Sequence, residues 1–218
     1  MPGPQGRQPA IKICGLTTPD AVDAVIAAHA DFAGFVFCPP SPRHLSVEEA
    51  AALTARAAGR VRRVGLFVDA TDEDLRATTE AAGFEALQLQ GSETPERVAQ
   101  IRARVGVPVW KAVAIASRAD LDRVREYASV ADLVLLDAKT PKGGLPGGLG
   151  LSFDWDLLAG WRAPCAWGLA GGLTPDNVAE AIARTGAPLV DVSSGVQETP
   201  GRKDPAKIAA FCRAARGA

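Results

Sequence analysis

Several places in this chain carry side chains or turns suited to proton transfer or anion binding, and they lie far apart in sequence. Cys14 closes the run Ile11-Lys12-Ile13 and precedes Gly15. A thiol there either fills core space or, once ionised, accepts a proton. Asp137 ends the apolar run Leu133-Val134-Leu135-Leu136. A carboxylate at that point caps the following loop or acts as an acid at a cavity mouth. Arg43 follows Pro39-Pro40-Ser41-Pro42, and a proline-stiffened loop suits a pre-organised clamp on a carboxylate, with a solvated loop arginine as the alternative. Lys139, two residues beyond Asp137, reads as a solvated loop cation. Gly171-Gly172 and Ser193-Ser194-Gly195 are turns whose N–H groups could cradle a phosphate, or simply reverse the chain tightly.

Bringing these residues together requires a fold that presents many loops at one end. Short apolar, β-branched runs alternate with helix-period stretches throughout, the pattern of βα units around a parallel sheet. Strands are predicted at 11–14, 33–37, 64–68, 86–89, 109–112, 133–136, 166–169 and 189–192. Helices are predicted at 19–28, 47–58, 73–82, 95–105, 119–127, 174–184 and 205–215, with a short one near Trp155. Thr18-Pro19-Asp20, Ser46, Thr94-Pro95 and Thr174-Pro175-Asp176 read as helix starts, with a hydroxyl cap and proline in the first turn. Eight units in 218 residues fit a compact closed barrel. The rival, an open doubly wound sheet, would place G-x-G-x-x-G after its first strand, and here Gly15-Leu16-Thr17-Thr18 follows. P-loop, G-x-S-x-G and H-E-x-x-H patterns are missing as well. The expected fold is therefore α/β, a single (β/α)8 barrel over 11–216, preceded by a disordered leader at 1–10.

Strand parity assigns the lumen. Residues two apart share a face, so Lys12 and Cys14, Gln88 and Gln90, Asp137, and Asp191 with Ser193 point inward. Lys111 is expected there too, and such a lumen requires ion pairs between strands. The groups at strand C-terminal ends lie on the rim where barrels of this type keep their chemistry, and the two glycine turns follow strands seven and eight, the usual phosphate-binding pair.

Composition removes other classes. Lys plus Arg number 24 against 25 acidic residues, a net charge of −1 that gives no general attraction for nucleic acid or an anionic membrane. The cysteines, Cys14, Cys38, Cys165 and Cys212, form no C-x-x-C, and with His29 and His44 as the only histidines a histidine-rich metal cluster is excluded. No apolar run reaches the roughly 18 residues of a membrane span, and the Pro/Gly/Gln-rich start lacks signal-peptide order. A cytoplasmic protein with reduced thiols is expected.

The chain resembles the phosphoribosylanthranilate isomerase family over about residues 11–215. Carrying the resemblance are Lys12-Ile13-Cys14-Gly15-Leu16-Thr17, Gly34-Phe35-Val36-Phe37, Ser41-Pro42-Arg43, Val64-Gly65-Leu66-Phe67-Val68, Leu87-Gln88-Leu89, Leu135-Leu136-Asp137, Phe153-Asp154-Trp155, Gly171-Gly172-Leu173-Thr174-Pro175-Asp176-Asn177-Val178 and Asp191-Val192-Ser193-Ser194-Gly195-Val196. The resemblance implies an Amadori rearrangement in tryptophan biosynthesis without metal or organic cofactor, with Cys14 as general base and Asp137 as general acid. It further implies that Arg43 holds the anthranilate carboxylate, that Asp191 and Gln90 belong to the substrate-binding set, and that the backbone of Gly171, Gly172, Ser194 and Gly195 holds phosphate. The partner is then a small-molecule substrate, and the protein a monomer or homodimer. Opposite protonation states at one pH call for a raised carboxyl and a lowered thiol pKa, with Lys12 supporting the thiolate.

Three positions depart from the family pattern: Gln90 stands in place of histidine, Ala170 of serine and Gln197 of glutamate. Gln90 can hydrogen-bond but cannot titrate. The segment 141–150, with five glycines and Leu149, is expected to be a mobile loop over the mouth. Two other readings remain: a related aminoaldose isomerase of histidine biosynthesis, which would carry aspartate where this chain has Cys14, and a non-catalytic phosphate-ligand binder.

Overall fold

The computed structural model describes residues 8–138 and 152–217. Lys139 and the expected loop at 141–150 lie outside the described residues. Eight parallel strands close a barrel in chain order: β1 (Ala10–Cys14), β2 (Phe32–Phe37), β3 (Arg62–Phe67), β4 (Ala86–Leu89), β5 (Val109–Ile115), β6 (Leu133–Ala138), β7 (Trp167–Leu169) and β8 (Leu189–Val192). Ala10, assigned to the leader from sequence, belongs to β1, and its N–H donates to Pro188 O.

Around the barrel run α1 (Pro19–Ala27), α2 (Val47–Ala57), α3 (Asp72–Ala82), α4 (Pro95–Val105), α5 (Asp122–Tyr127), α6 (Val178–Thr185) and α7 (Pro205–Arg216). The Thr18, Ser46 and Thr94 caps form as the sequence predicts, and Ser46 with Glu49 completes a capping box. The helix expected at 174–184 starts later, at Val178. Asn177 Oδ1 accepts from Thr174 N and its Nδ2 donates to Gly172 O, so a side chain closes this segment as a turn before the helix ladder can begin. The helix expected at 119–127 is split into a 3-10 turn, Arg118–Leu121, and α5.

After β8 the chain forms an unexpected antiparallel hairpin, β9 (Gln197–Thr199) with β10 (Arg202–Lys203). It lies over the ends of β1 and β2: Thr17 Oγ1 donates to Gly201 O at 2.6 Å, and Gly201 is tight against Pro42 O.

The lumen is layered. Its lower layer is apolar, made by Phe32, Val64, Ala86, Trp110, Ala112, Leu135 and Leu189, with Phe32 and Trp110 in an edge-on contact of 4.9 Å. Lys12, Gln88 and Asp191 lie buried above it. Cys14, Val36, Cys38 and Leu66 then form an apolar wall near the rim. Lys111 is not in this lumen. It shares parity with Val109 and Val113, which pack in the main core between barrel and helices, and its Nζ donates to Leu89 O, Gly91 O and Glu93 Oε2. Its ammonium also faces the Tyr127 ring of α5 at 5.9 Å. Strand β5 is apolar on both faces, so alternation could not orient it from sequence.

Candidate active site

Lys12 and Asp191 are register neighbours on β1 and β8, and their side chains pair at 2.9 Å in the barrel interior. Burial works against the Lys12 ammonium, yet Asp191, which accepts its hydrogen bonds, and the adjacent Cys14 hold its pKa above the ordinary lysine value. Cys14 follows two residues on along the same face, 4% exposed. Room for this group comes from Gly34 on β2: a Cβ there would stand 3.0 Å from Cys14 Sγ and 3.1 Å from Lys12 Nζ.

The Cys14 thiol differs from expectation. Burial pushes its pKa up, and Lys12, opposed by the charge of Asp191, does not bring it back to the ordinary thiol range. The predicted lowering is therefore corrected: desolvation at the lumen wall outweighs one ammonium that already serves a carboxylate.

Across the mouth, Asp137 on β6 behaves as predicted. Burial, reinforced by the negative charge of Asp191, raises its carboxyl to about 6, against the hydrogen bonds it accepts and the charge of Lys12. Gln90 Nε2 donates to Asp137 Oδ2 at 2.7 Å, and Ala138 N donates to Oδ1 at 2.9 Å. Gln90 in turn accepts from Gln88 Nε2 at 2.7 Å. A thiol and a carboxyl of raised proton affinity thus face one mouth from strands on different sides of the barrel.

Arg43 is 9% exposed rather than solvated, and burial lowers its pKa. Its aliphatic stem lies against Gly15, and its Nη2 donates to Gln197 Oε1 at 3.1 Å on β9. Gly171 and Gly172 both adopt positive φ, 86° and 63°. The turn that holds Ser194 and Gly195 is packed against theirs: a Cβ on Gly195 would overlap Leu173 O. Both glycine turns therefore lie side by side at the rim, with Cys14, Asp137 and Arg43, while Asp191 lies one layer deeper beside Lys12. Asp69, two residues beyond β3, serves the loops: its Oδ1 accepts from Ser92 N and Oγ, and its own N–H donates to Glu93 Oε1.

Sequence reasoning missed Lys203. Its ammonium, 4% exposed, donates to Ser193 O at 2.8 Å and Ser193 Oγ at 3.2 Å, while Ser193 Oγ donates to Cys14 O at 3.1 Å. Burial lowers the Lys203 pKa to about 7; Cys14 opposes that shift and Arg43 adds to it. The signal available was Pro200-Gly201, a turn dipeptide between two short polar segments.

Comparison with known proteins agrees with this fold. Residues 11–214 match the family described as N-(5′-phosphoribosyl)anthranilate (PRA) isomerase. Relatives named N-(5′-phosphoribosyl)anthranilate isomerase include one from Cereibacter sphaeroides, 54% identical over 94% of this chain and 98% of that protein. Another, from Paramagnetospirillum magneticum, is 52% identical over 95% of this chain and 97% of its own length. Among solved structures, the phosphoribosyl anthranilate isomerase of Thermotoga maritima is similar with a TM-score of 0.87 and 36% identity, over 96% of this chain and all of that one. A phosphoribosyl anthranilate isomerase in complex with reduced 1-(o-carboxyphenylamino)-1-deoxyribulose 5-phosphate gives 0.85 and 34%, with the same coverage. With the barrel and nearly the whole length in agreement, this chain belongs to the N-(5′-phosphoribosyl)anthranilate isomerase family.

Proposed function

We propose that this chain converts N-(5′-phosphoribosyl)anthranilate into 1-(2-carboxyphenylamino)-1-deoxyribulose 5-phosphate, with Asp137 as general acid and Cys14 as general base. The observation that carries the reading is the pairing of a carboxyl raised to about 6 with a thiol held beside an ammonium at the same barrel mouth. Protonated Asp137 gives its proton to the ribose ring oxygen as the C1′–O bond breaks, and the anthranilate nitrogen lone pair forms an iminium at C1′. Thiolate Cys14 takes the C2′ proton, and the electrons of that bond neutralise the iminium as an enolamine. Tautomerisation then moves a proton to C1′ and leaves the ketone at C2′. Atoms and oxidation level balance within one molecule, so acid, base and positioning groups suffice, and the reading includes no metal or organic cofactor.

Arg43, fixed by Gln197 and Gly15, is the clamp for the anthranilate carboxylate. The paired turns at Gly171-Gly172 and Ser194-Gly195 take the phosphate. Asp191 keeps Lys12 beside the thiol and also lies on the substrate side of the lumen. The same chain supplies every group, as a monomer or a homodimer. We place the protein in the cytoplasm, where thiols stay reduced; among the described residues no helix is long and apolar enough to cross a membrane.

Because the thiol lies above the carboxyl in pKa, the form with thiolate and carboxylic acid is the minor tautomer of a pair sharing one proton. The developing iminium supplies the positive charge that draws the proton off Cys14. Activity is then level between the two pKa values and declines below about pH 6, where both groups are protonated, and again above the thiol value, where both are ionised.

The test is the reaction in D2O with freshly generated substrate. The expected product carries one deuterium at C1′, and Cys14→Ser and Asp137→Asn form it at least about 100-fold more slowly. A folded wild-type chain that forms no such ketone overturns the reading.

A further inference from the structure

The acid of this proposed reaction is held by more than its own backbone. Gln88 on β4 and Gln90, the residue that follows the strand, share the lumen parity, and Gln88, one step deeper, is 2% exposed. Its Nε2 gives a hydrogen bond to Gln90 Oε1 at 2.7 Å, which leaves the Gln90 amide group as the part that faces Asp137, where it donates at 2.7 Å. Among the described residues Gln88 Oε1 is buried without a hydrogen-bond partner. A purely packing role would favour an apolar side chain there, because an unsatisfied buried carbonyl is costly. That cost falls on a residue whose one hydrogen bond fixes which way Gln90 points.

We propose that Gln88 and Gln90 form a non-titrating amide relay in which Gln88 locks the Gln90 N–H onto Asp137, holding the acid in place and limiting its proton affinity. The relay rests on the reading of Asp137 as general acid only for its catalytic consequence; the hydrogen-bond lock stands without it. Both glutamines are positioning residues. Among the described residues, the charged groups facing Asp137 are Asp191 on β8, which raises its proton affinity, and Lys12 on β1, which lowers it. Ala138 N adds a fixed donor from β6. Substitution on β4 leaves all three in place, so a change in the titration of Asp137 isolates the relay. A donor to a carboxylate favours its ionised form, so losing it moves the midpoint up.

The test is carbon-13 NMR of the protein labelled at aspartate carboxyls, with the Asp137 signal assigned by its loss in Asp137→Asn. The midpoint rises by about 0.5–1 pH unit in Gln90→Met and by about half as much in Gln88→Met, where Gln90 is still present but free to turn. The acid limb of kcat/KM moves up in step; the substrate's own phosphate is common to every variant and cancels in the comparison. A midpoint within about 0.2 unit of wild type in both folded variants overturns the relay, whatever the kinetics. A moved midpoint together with full turnover by Asp137→Asn keeps the relay and overturns Asp137 as the general acid.

Discussion

Lys12 on β1 and Lys111 on β5 each pair with one carboxylate, at 2.9 and 3.0 Å, and neither is more than 3% exposed. Their settings differ by one step of strand parity. Lys12 points into the lumen, where its ammonium serves Asp191 and, above it, Cys14. Lys111 points outward to the helices, where two backbone carbonyls and Glu93 accept its hydrogen bonds, Tyr127 flanks it, and Tyr127 in turn donates to Glu93 O. The outer pair is closed: its neighbours are loop and helix groups of the scaffold. The inner pair opens onto a thiol at the rim. A buried ion pair therefore has no functional meaning until the face it occupies is known.

The first way to sharpen this contrast is to remove the groups above the inner pair. Cys14→Ser and Asp137→Asn are each expected to lower kcat by roughly 10²–10⁴-fold with the fold retained, measured as loss of substrate fluorescence and by circular dichroism. Breaking the pairs themselves comes next. Lys12→Met and Lys111→Met each strand a buried carboxylate, and urea unfolding is expected to show about 3–5 kcal/mol lost in both. They part in the thiol: Lys12→Met raises the Cys14 midpoint further, read as the thiolate absorbance difference against Cys14→Ser, and Lys111→Met leaves it in place.

A smaller effect tests the cost of the site. The folded pKa of Asp137 is raised, so folding is favoured by its protonation and the cost of its charge grows as pH rises from about 4 through 6. Asp137→Asn cannot ionise and is expected to be more stable than wild type above pH 6, by about 1–3 kcal/mol, with no gain below about pH 4. The Tm difference as a function of pH reads this directly. Smallest of all is the exposed pair of Arg56 with Asp23, where Asp23→Ala is expected to leave both Tm and kcat at their wild-type values.

Much of the barrel was legible because most of its strands and helix caps announce themselves. Ile11-Lys12-Ile13-Cys14 alternates cleanly, so its lumen face could be read, and Thr18, Ser46 and Thr94 start their helices as written. Lys111 could not be oriented because Trp110 and Ala112 on one face of β5 are as apolar as Val109 and Val113 on the other. The β9–β10 hairpin escaped because its strands are three and two residues long and polar, too short for any period. With it went Lys203, a buried cation beside Ser193. Placement of Cys14 was readable from parity, but its acidity was not: that is set by the balance between desolvation and a lysine shared with Asp191.

The chemistry belongs to the lumen rim and not to buried charge in general. Turnover of N-(5′-phosphoribosyl)anthranilate, normalised to folded protein, should be measured side by side for wild type, Cys14→Ser, Asp137→Asn and Lys111→Met. Cys14→Ser and Asp137→Asn are expected to lose turnover, and Lys111→Met to keep it. Wild-type rates from folded Cys14→Ser and Asp137→Asn would contradict the assignment to the rim.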